Sequence, residues 1–305
     1  RNNAVSYEDE KDTLTLKEVT QLKKFKKIDG DIPNFGVSKS AFWLKFNIQN
    51  NTSRDIFLLQ ISQPGLDEID FYQFNNGTLV DSAIAGEFLP FHNRQFSDAN
   101  YIFRVKLLPQ TTSEFYFKVK ARDNIQVPIT IGTSETIFES NKIKDTLAGI
   151  YIGIMMVMFV YNAFLYLTVR DRGYLYYVLY LGTVILTQAS IQGYTYQYLW
   201  PNFPALAQYS SFIFPPLVGI ASYSFLRVFL HTSTFFPKLD KVFHVFTAAY
   251  LLATAVAFAG YFKTSFLLIE ICATVVSIYM LAIAWMVNRK GYRPARFFLL
   301  AWAFF

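Results

Sequence analysis

The chain has 305 residues, room for two domains at about 150 residues each. Fifty-three per cent of it is apolar and 16% charged, against roughly 25% charged in a soluble protein, so disorder is excluded. One cysteine, Cys272, excludes a disulfide framework and a Cys-based zinc site, and a net charge of +6 would by itself suggest nucleic acid or an acidic partner.

Residues 1–35 are polar and lysine-rich and read as an arm packed along the domain that follows. Within it, Lys23-Lys24-Phe25-Lys26-Lys27 looks like a nucleic-acid patch, but many acids lie beside it. A solvated face explains it better, and no nucleic-acid partner is expected.

Residues 41–133 read as short strands with period-two alternation. Phe42, Leu44, Phe46 and Ile48 share one face, with Lys45, Asn47 and Gln49 opposite. Tyr101, Phe103, Val105 and Leu107 repeat the pattern against Arg104 and Lys106, as do Phe115, Phe117 and Val119 against Lys118 and Lys120. The runs 56–62, 67–74, 78–85 and 125–132 complete seven or eight strands, punctuated by turn signals at Asn50-Asn51, Pro64-Gly65 and Asn76-Gly77. This spacing predicts an all-β sandwich of jelly-roll type. The matches to glycosylation sequons at Asn50, Asn51 and Asn76 serve better as turns. A short link over 138–144 then leads into the second half, which places the domain boundary near residue 140 (1–140 and 141–305).

The second half predicts an all-α transmembrane bundle. Uncharged runs lie at about 146–168, 174–192, 205–226, 242–262 and 264–287, the last with one internal acid, Glu270. A helix needs about 20 apolar residues to cross the hydrocarbon core. A sixth run starts at Arg296 and reaches Phe305 in mid-span, so the chain reads as a fragment with a seventh helix to follow. No stretch reads as a signal peptide, and one is expected to have been removed.

Charge gives the orientation. Up to Asp145 there are 18 basic and 19 acidic residues; beyond it there are 10 and 3. Nine of those ten basic residues fall at alternate joints: Arg170, Arg172, Arg227, Lys238, Lys241, Arg289, Lys290, Arg293 and Arg296. The opposite joints hold only Lys263. The positive-inside bias puts the N-terminal domain outside, and Tyr194, Tyr196, Tyr198 and Trp200 form an aromatic belt at the outer end of the second span.

The order of these parts resembles a bacterial family, the seven-transmembrane receptors with diverse intracellular signalling modules. In the outer domain the likeness is carried by SAFWLKFNIQNNT, by ISQPGLDEIDFYQFNNG, and by AGEFLPFHNR with Gly86, Pro90, Phe91 and Arg94. In the bundle it is carried by residues 149–180, with Tyr161-Asn162 and Arg170-Asp171, and by GYTYQYLWP at 193–201. It runs from about Ser40 to Phe305 and lacks the seventh helix and a cytoplasmic module. The resemblance implies an outer carbohydrate-binding-like jelly roll in the cytoplasmic membrane. It also implies an output module in cis: a histidine kinase, a cyclic-di-nucleotide enzyme, a nucleotide cyclase or a phosphatase. Many such receptors act as dimers, so a homodimer is an expectation of the resemblance alone.

On the sandwich, aromatic and polar groups suit a sugar, because rings stack on the apolar faces of pyranoses. Trp43, which points away from the Phe42 and Leu44 face, is one candidate; Tyr72, Phe91, His92 and Arg94 are others. Packing under the arm is the competing role for Trp43. In the membrane half Glu270 is the one acid within a span, roughly 10 Å below the outer surface at 1.5 Å per residue, with Gln188 and Gln192 at similar depth. It reads as a sensing site or as a protonated interhelical bond. Pro215-Pro216 should kink or break the third span, as a hinge or a fixed bend, and Asn162 should bond a neighbouring helix.

Enzyme signals are weak. His92, His231 and His244 lie far apart, and no HExxH, P-loop, G-x-S-x-G or dinucleotide motif is present. No catalysis, metal or cofactor is expected. The reading is a receptor that meets the lipid bilayer, an outer small-molecule or carbohydrate ligand and an inner output module. The alternative is a transporter or channel with an accessory outer domain, which would show paired broken helices in repeated halves.

Overall fold

The computed structural model describes residues 4–28 and 30–303. The chain divides into two compact units. One is the chain up to Leu147 together with Ser190–Gln208, and the other is Ala148–Ala189 with the chain from Tyr209 onward.

The first unit is an all-β sandwich. Its strands are β1 (Val5–Asp9), β2 (Lys26–Lys27), β3 (Asn34–Val37), β4 (Ala41–Gln49), β5 (Ile56–Ile61), β6 (Glu68–Asn75), β7 (Thr78–Ala85), β8 (Tyr101–Lys106), β9 (Thr112–Lys120), β10 (Asn124–Gln126) and β11 (Ile129–Gly132). They form a six-stranded sheet in the order β2-β1-β4-β9-β6-β7, a three-stranded sheet β11-β5-β8 and the pair β10-β3. The alternation of β4 decides which way its sheet faces. Register sets Leu44 beside Phe117 and Phe46 beside Phe115, while β6 sets Phe71 beside Phe117. Leu44, Phe71, Phe115 and Phe117 bury in one core with Leu59 and Ile61 of β5 and Phe103 and Val105 of β8, and the half-buried Phe46 packs against it. At about 25 cal/mol per Å² of apolar area removed from water, this shared face is the main stabilising term of the unit.

The arm is part of the sheet. β1 pairs along β4, and after it α1 (Leu16–Gln21) is started by a capping box between Thr15 and Glu18. Asp12, in the turn between them, bridges Lys118 Nζ (2.5 Å) and Lys120 Nζ (2.8 Å) of β9. The run 125–132 is two strands. Val127 N–H donates to Pro33 O and Ser62 N–H to Pro128 O, so the chain leaves β3 and joins β5 across Pro128, which lacks an N–H. Asn76 and Gly77 both take positive φ and close the β6–β7 hairpin.

No flexible link follows the sandwich. α2 (Ser134–Val169) begins two residues after β11, with the Thr133 hydroxyl accepting from Thr136 N–H, and runs unbroken for 36 residues. α3 (Arg172–Ile191), α4 (Tyr194–Tyr198), α5 (Pro204–Phe229), α6 (Thr232–Phe235), α7 (Pro237–Asp240), α8 (Val242–Phe258), α9 (Phe262–Arg289) and α10 (Pro294–Ala303) follow. Among the described residues, five helices are long and apolar enough to cross a membrane.

Pro215 and Pro216 do not break α5, which is continuous across them. A proline removes the N–H that would reach back four residues, so Pro216 releases the carbonyl of Phe212. Thr254 of α8 donates its hydroxyl to that carbonyl at 3.1 Å. A neighbouring helix thus satisfies the freed acceptor, as the bilayer interior requires. One turn on, Gly219 admits the buried Tyr250 ring, and a Cβ there would lie 2.5 Å from the ring.

Gly219→Ala should therefore lower the stability of the bundle by about 1–3 kcal/mol. Gly149→Ala, with no neighbour within 4 Å of the added carbon, should leave it unchanged or raised. Thermal unfolding of the full chain in detergent measures the difference.

Candidate functional site

At one end of the sandwich, four separate segments meet: Pro64–Asp67, Gly86–Arg94, Ala99–Tyr101 and Arg122–Asp123. The first two are held together by backbone bonds, with Glu87 N–H donating to Leu66 O at 2.9 Å and Phe88 N–H to Asp67 O at 3.1 Å. That approach needs glycine. Gly86 has φ +132°, and any side-chain carbon there would collide with the Asp67 carbonyl.

Arg94 is the centre of the arrangement. Its Nη1 donates to the carbonyls of Ala99 (2.5 Å) and Asp98 (3.1 Å), and Nη2 donates to the Tyr101 hydroxyl at 3.2 Å. Tyr101 Oη in turn lies 2.9 Å from Pro64 O and 3.0 Å from Leu66 O. The guanidinium sits over three rings, 4.2 Å from the centroid of Tyr101, 4.6 Å from Phe91 and 5.7 Å from Tyr196. Ring faces and carbonyl oxygens hold this cation where water does not reach freely.

Tyr196 belongs to the connection between α3 and α5, which is held here at several points. Its hydroxyl donates to Leu89 O, and its ring meets Phe91 edge-on at 5.7 Å. Phe91 N–H donates to Pro201 O at 2.9 Å, Gln197 Nε2 to Ser97 O at 3.2 Å, and Arg122 Nη1 to Gln208 Oε1 at 2.6 Å. Gly193, at φ +79°, lies against the rim so closely that a Cβ would stand 2.7 Å from Pro64 Cβ.

Beside Arg94 lies a buried acidic cluster. Glu87 is 7% exposed, and its carboxyl makes no hydrogen bond among the described residues. Burial pushes its pKa well above the usual range. The nearby Asp123 and Asp67 push the same way, and Arg94 and Arg122 pull back. Asp67 is raised to about 6, chiefly by burial, although it accepts from Arg122 N–H at 2.6 Å. Burial and the neighbouring carboxylates thus favour the neutral form of Glu87, next to a cation that is held by dipoles. Among the described residues no group of three or more His, Cys, Asp or Glu side chains could hold a metal ion.

The sequence-derived candidates fall in separate places. Phe91 and Arg94 are in this cluster, with Phe91 buried, while His92 is exposed on the same short turn. Trp43 is 1% exposed on the other face of the six-stranded sheet, stacked 6.2 Å from Tyr72 and covered by Val19, Leu16 and Leu22 of the arm. It has no free face for a sugar while α1 is in place. Glu270 is exposed on α9, and no hydrogen bond joins it to Gln188 among the described residues. Gln192 lies in the other unit, in the turn after α3. Asn162 does not bond a neighbouring helix: its Nδ2 donates to Met158 O of its own helix at 2.8 Å, which satisfies it locally. Glu87, Asp67, Arg122 and Tyr196 were not expected in a site, because residues spaced so widely meet only in the fold.

The arrangement holds an outer sandwich and a connection between two apolar spans as one body. The chain belongs to the 7TM diverse intracellular signalling family, whose model matches residues 144–305, and the 7TMR-DISM extracellular 2 model matches residues 1–133. It is thus a multi-pass, receptor-like signalling protein with an extracellular domain, and neither matched domain is of an enzymatic type. No curated protein matches the chain.

A raised acid pKa means that the folded state binds more protons than the unfolded one, so stability is lost as pH rises through the folded value. For Asp67 the loss, on the order of 3 kcal/mol, falls between about pH 4 and 6, and for Glu87 it continues higher. The melting temperature of the full chain should fall as pH rises from about 4 through 6 and beyond, and Glu87→Gln should abolish the part of the fall above the Asp67 range. An unchanged profile in the variant would place the titration elsewhere.

Proposed function

We propose that the chain is the sensing and transmitting part of a bacterial receptor of the cytoplasmic membrane, with its sandwich outside. The sandwich receives a small extracytoplasmic ligand of carbohydrate-like chemistry, and the spans carry the response to an output module on the cytoplasmic side. The observation that carries this reading is the grip of Arg94, Phe91 and Arg122 on residues 196–208. A shift at the rim of the sandwich is delivered directly to the chain entering the second and third spans. A ligand moves the output only by its differential affinity for two arrangements of this connection. The basic joints support the orientation, nine residues against one.

Two measurements test it. In a Cys272→Ser background, an impermeant maleimide added to intact cells should label Ser53→Cys and spare Thr234→Cys. Hydrogen exchange on the full chain in nanodiscs, against a panel of oligosaccharides, should find a ligand that protects the sandwich and also changes exchange at 193–203. In Arg94→Leu the second effect should vanish while binding persists. Substrate-dependent flux through proteoliposomes, with no ligand response at 193–203, would favour the transporter instead.

A further inference from the structure

The helical unit contains a polar cavity that none of the foregoing explains. It has a volume of about 310 Å³ and lies among Tyr176 of α3, Ser224 and Arg227 of α5, His231, Ser233 of α6 and Asp240 of α7. That is within the usual size range of small-ligand sites. It lies where α5 ends and α3 begins. Val228 approaches Gly173 there, which places Arg170 and Arg172 close by in the chain.

The electrostatics of the lining are specific. Asp240 is already neutralised: Arg227 donates Nε to its Oδ1 at 3.0 Å and Nη2 to its Oδ2 at 2.6 Å, and the Thr232 hydroxyl donates to it as well. The fork leaves Arg227 Nη1 without a hydrogen bond among the described residues, and the same holds for Tyr176 Oη and Ser233 Oγ. The His231 imidazole meets Tyr292 edge-on, with its ring centroid 5.7 Å away. The cavity therefore presents a surplus of donors, one of them a guanidinium, around a carboxylate whose oxygens are taken.

His231 adds a second, independent sign. It follows the end of α5 with φ +50°, a left-handed position that glycine fills at least strain. A β-carbon is kept there at some backbone strain, and what it supplies is the imidazole at the mouth of the cavity.

We propose that this cavity binds a phosphate-bearing anion, with Arg227, His231, Ser233 and Tyr176 as the donors. Basic pockets between spans at the membrane surface hold lipid head groups by this chemistry. A lipid phosphate and a free phosphate present the same oxygens, and the experiment separates them.

The full chain is placed in phosphatidylcholine nanodiscs containing one-tenth phosphatidic acid and released for native mass spectrometry. In parallel, its melting temperature is followed against inorganic phosphate in discs without the anionic lipid. Retained phosphatidic acid identifies a lipid head group as the ligand, and stabilisation by phosphate alone identifies a soluble anion. His231→Gly relieves the backbone and removes one donor, so the variant should melt no lower than the parent yet bind roughly tenfold more weakly. Ser233→Ala and Tyr176→Phe should weaken binding in the same direction without unfolding the chain. Neither retention nor stabilisation in the parent chain, or equal binding by His231→Gly, would overturn the proposal. Arg227 itself is left intact, because its loss would strand the Asp240 charge.

Discussion

The Arg94 guanidinium is the constraint round which the outer end of the sandwich is built. Among the described residues no carboxylate is bonded to this cation. Two backbone carbonyls, a tyrosine hydroxyl and three ring faces hold it. Burial and two further carboxylates push the pKa of Glu87 well upward, although the Arg94 charge pulls it back. Were Glu87 charged, it would sit with Asp67 and Asp123 in one desolvated cluster, a like-charge arrangement that low polarity makes costly. The cation is thus balanced by fixed dipoles, and those dipoles come from segments that would otherwise have no reason to converge.

The floor of this arrangement is the turn Pro64–Asp67, approached from two sides. Gly86 lies against the Asp67 carbonyl and Gly193 against Pro64, both at positive φ. A side chain at either would hold the two surfaces apart. The two glycines therefore do at the backbone level what Phe91 and Tyr196 do with their rings: they let the connection between α3 and α5 seat on the sandwich. The helical unit follows the same logic under stricter conditions, since lipid satisfies no backbone group. Thr254 takes up the carbonyl that Pro216 frees, and Gly219 makes room for Tyr250 one turn on.

Much of this was legible from residue periodicity. The face of β4 with Phe42, Leu44 and Phe46 is the core face, and Trp43 is on the other, because alternation in a strand admits only two answers. The hairpin at Asn76-Gly77 and the apolar spans were equally plain. What failed to show was whatever depends on pairing between distant segments. The run 125–132 has one continuous pattern but serves two partners, split at Pro128. The link over 138–144 reads as polar linker, yet the Thr133 cap starts a helix before it. Asn162 looked available to a neighbour, but its own helix offered the nearer carbonyl. Phe91 and Arg94 stand out as candidates in the sequence, whereas Glu87, fourteen residues before Tyr101, became part of the site only through the crossover of strands.

The charge of the second half carried one message in the sequence and carries two in the structure. Its ten basic residues read together as a record of orientation. Arg227 differs from the rest, because it is committed to Asp240 by two hydrogen bonds and faces a cavity. Setting it aside leaves eight basic residues at the inner joints against Lys263 alone, so the bias that supports the orientation does not depend on it. The same residue type thus does two different things. A lysine or arginine in solvent responds to the field across the membrane, while an arginine forked onto a buried carboxylate builds a site. Only the partner distinguishes them, and the partner lies 13 residues away across two short helices.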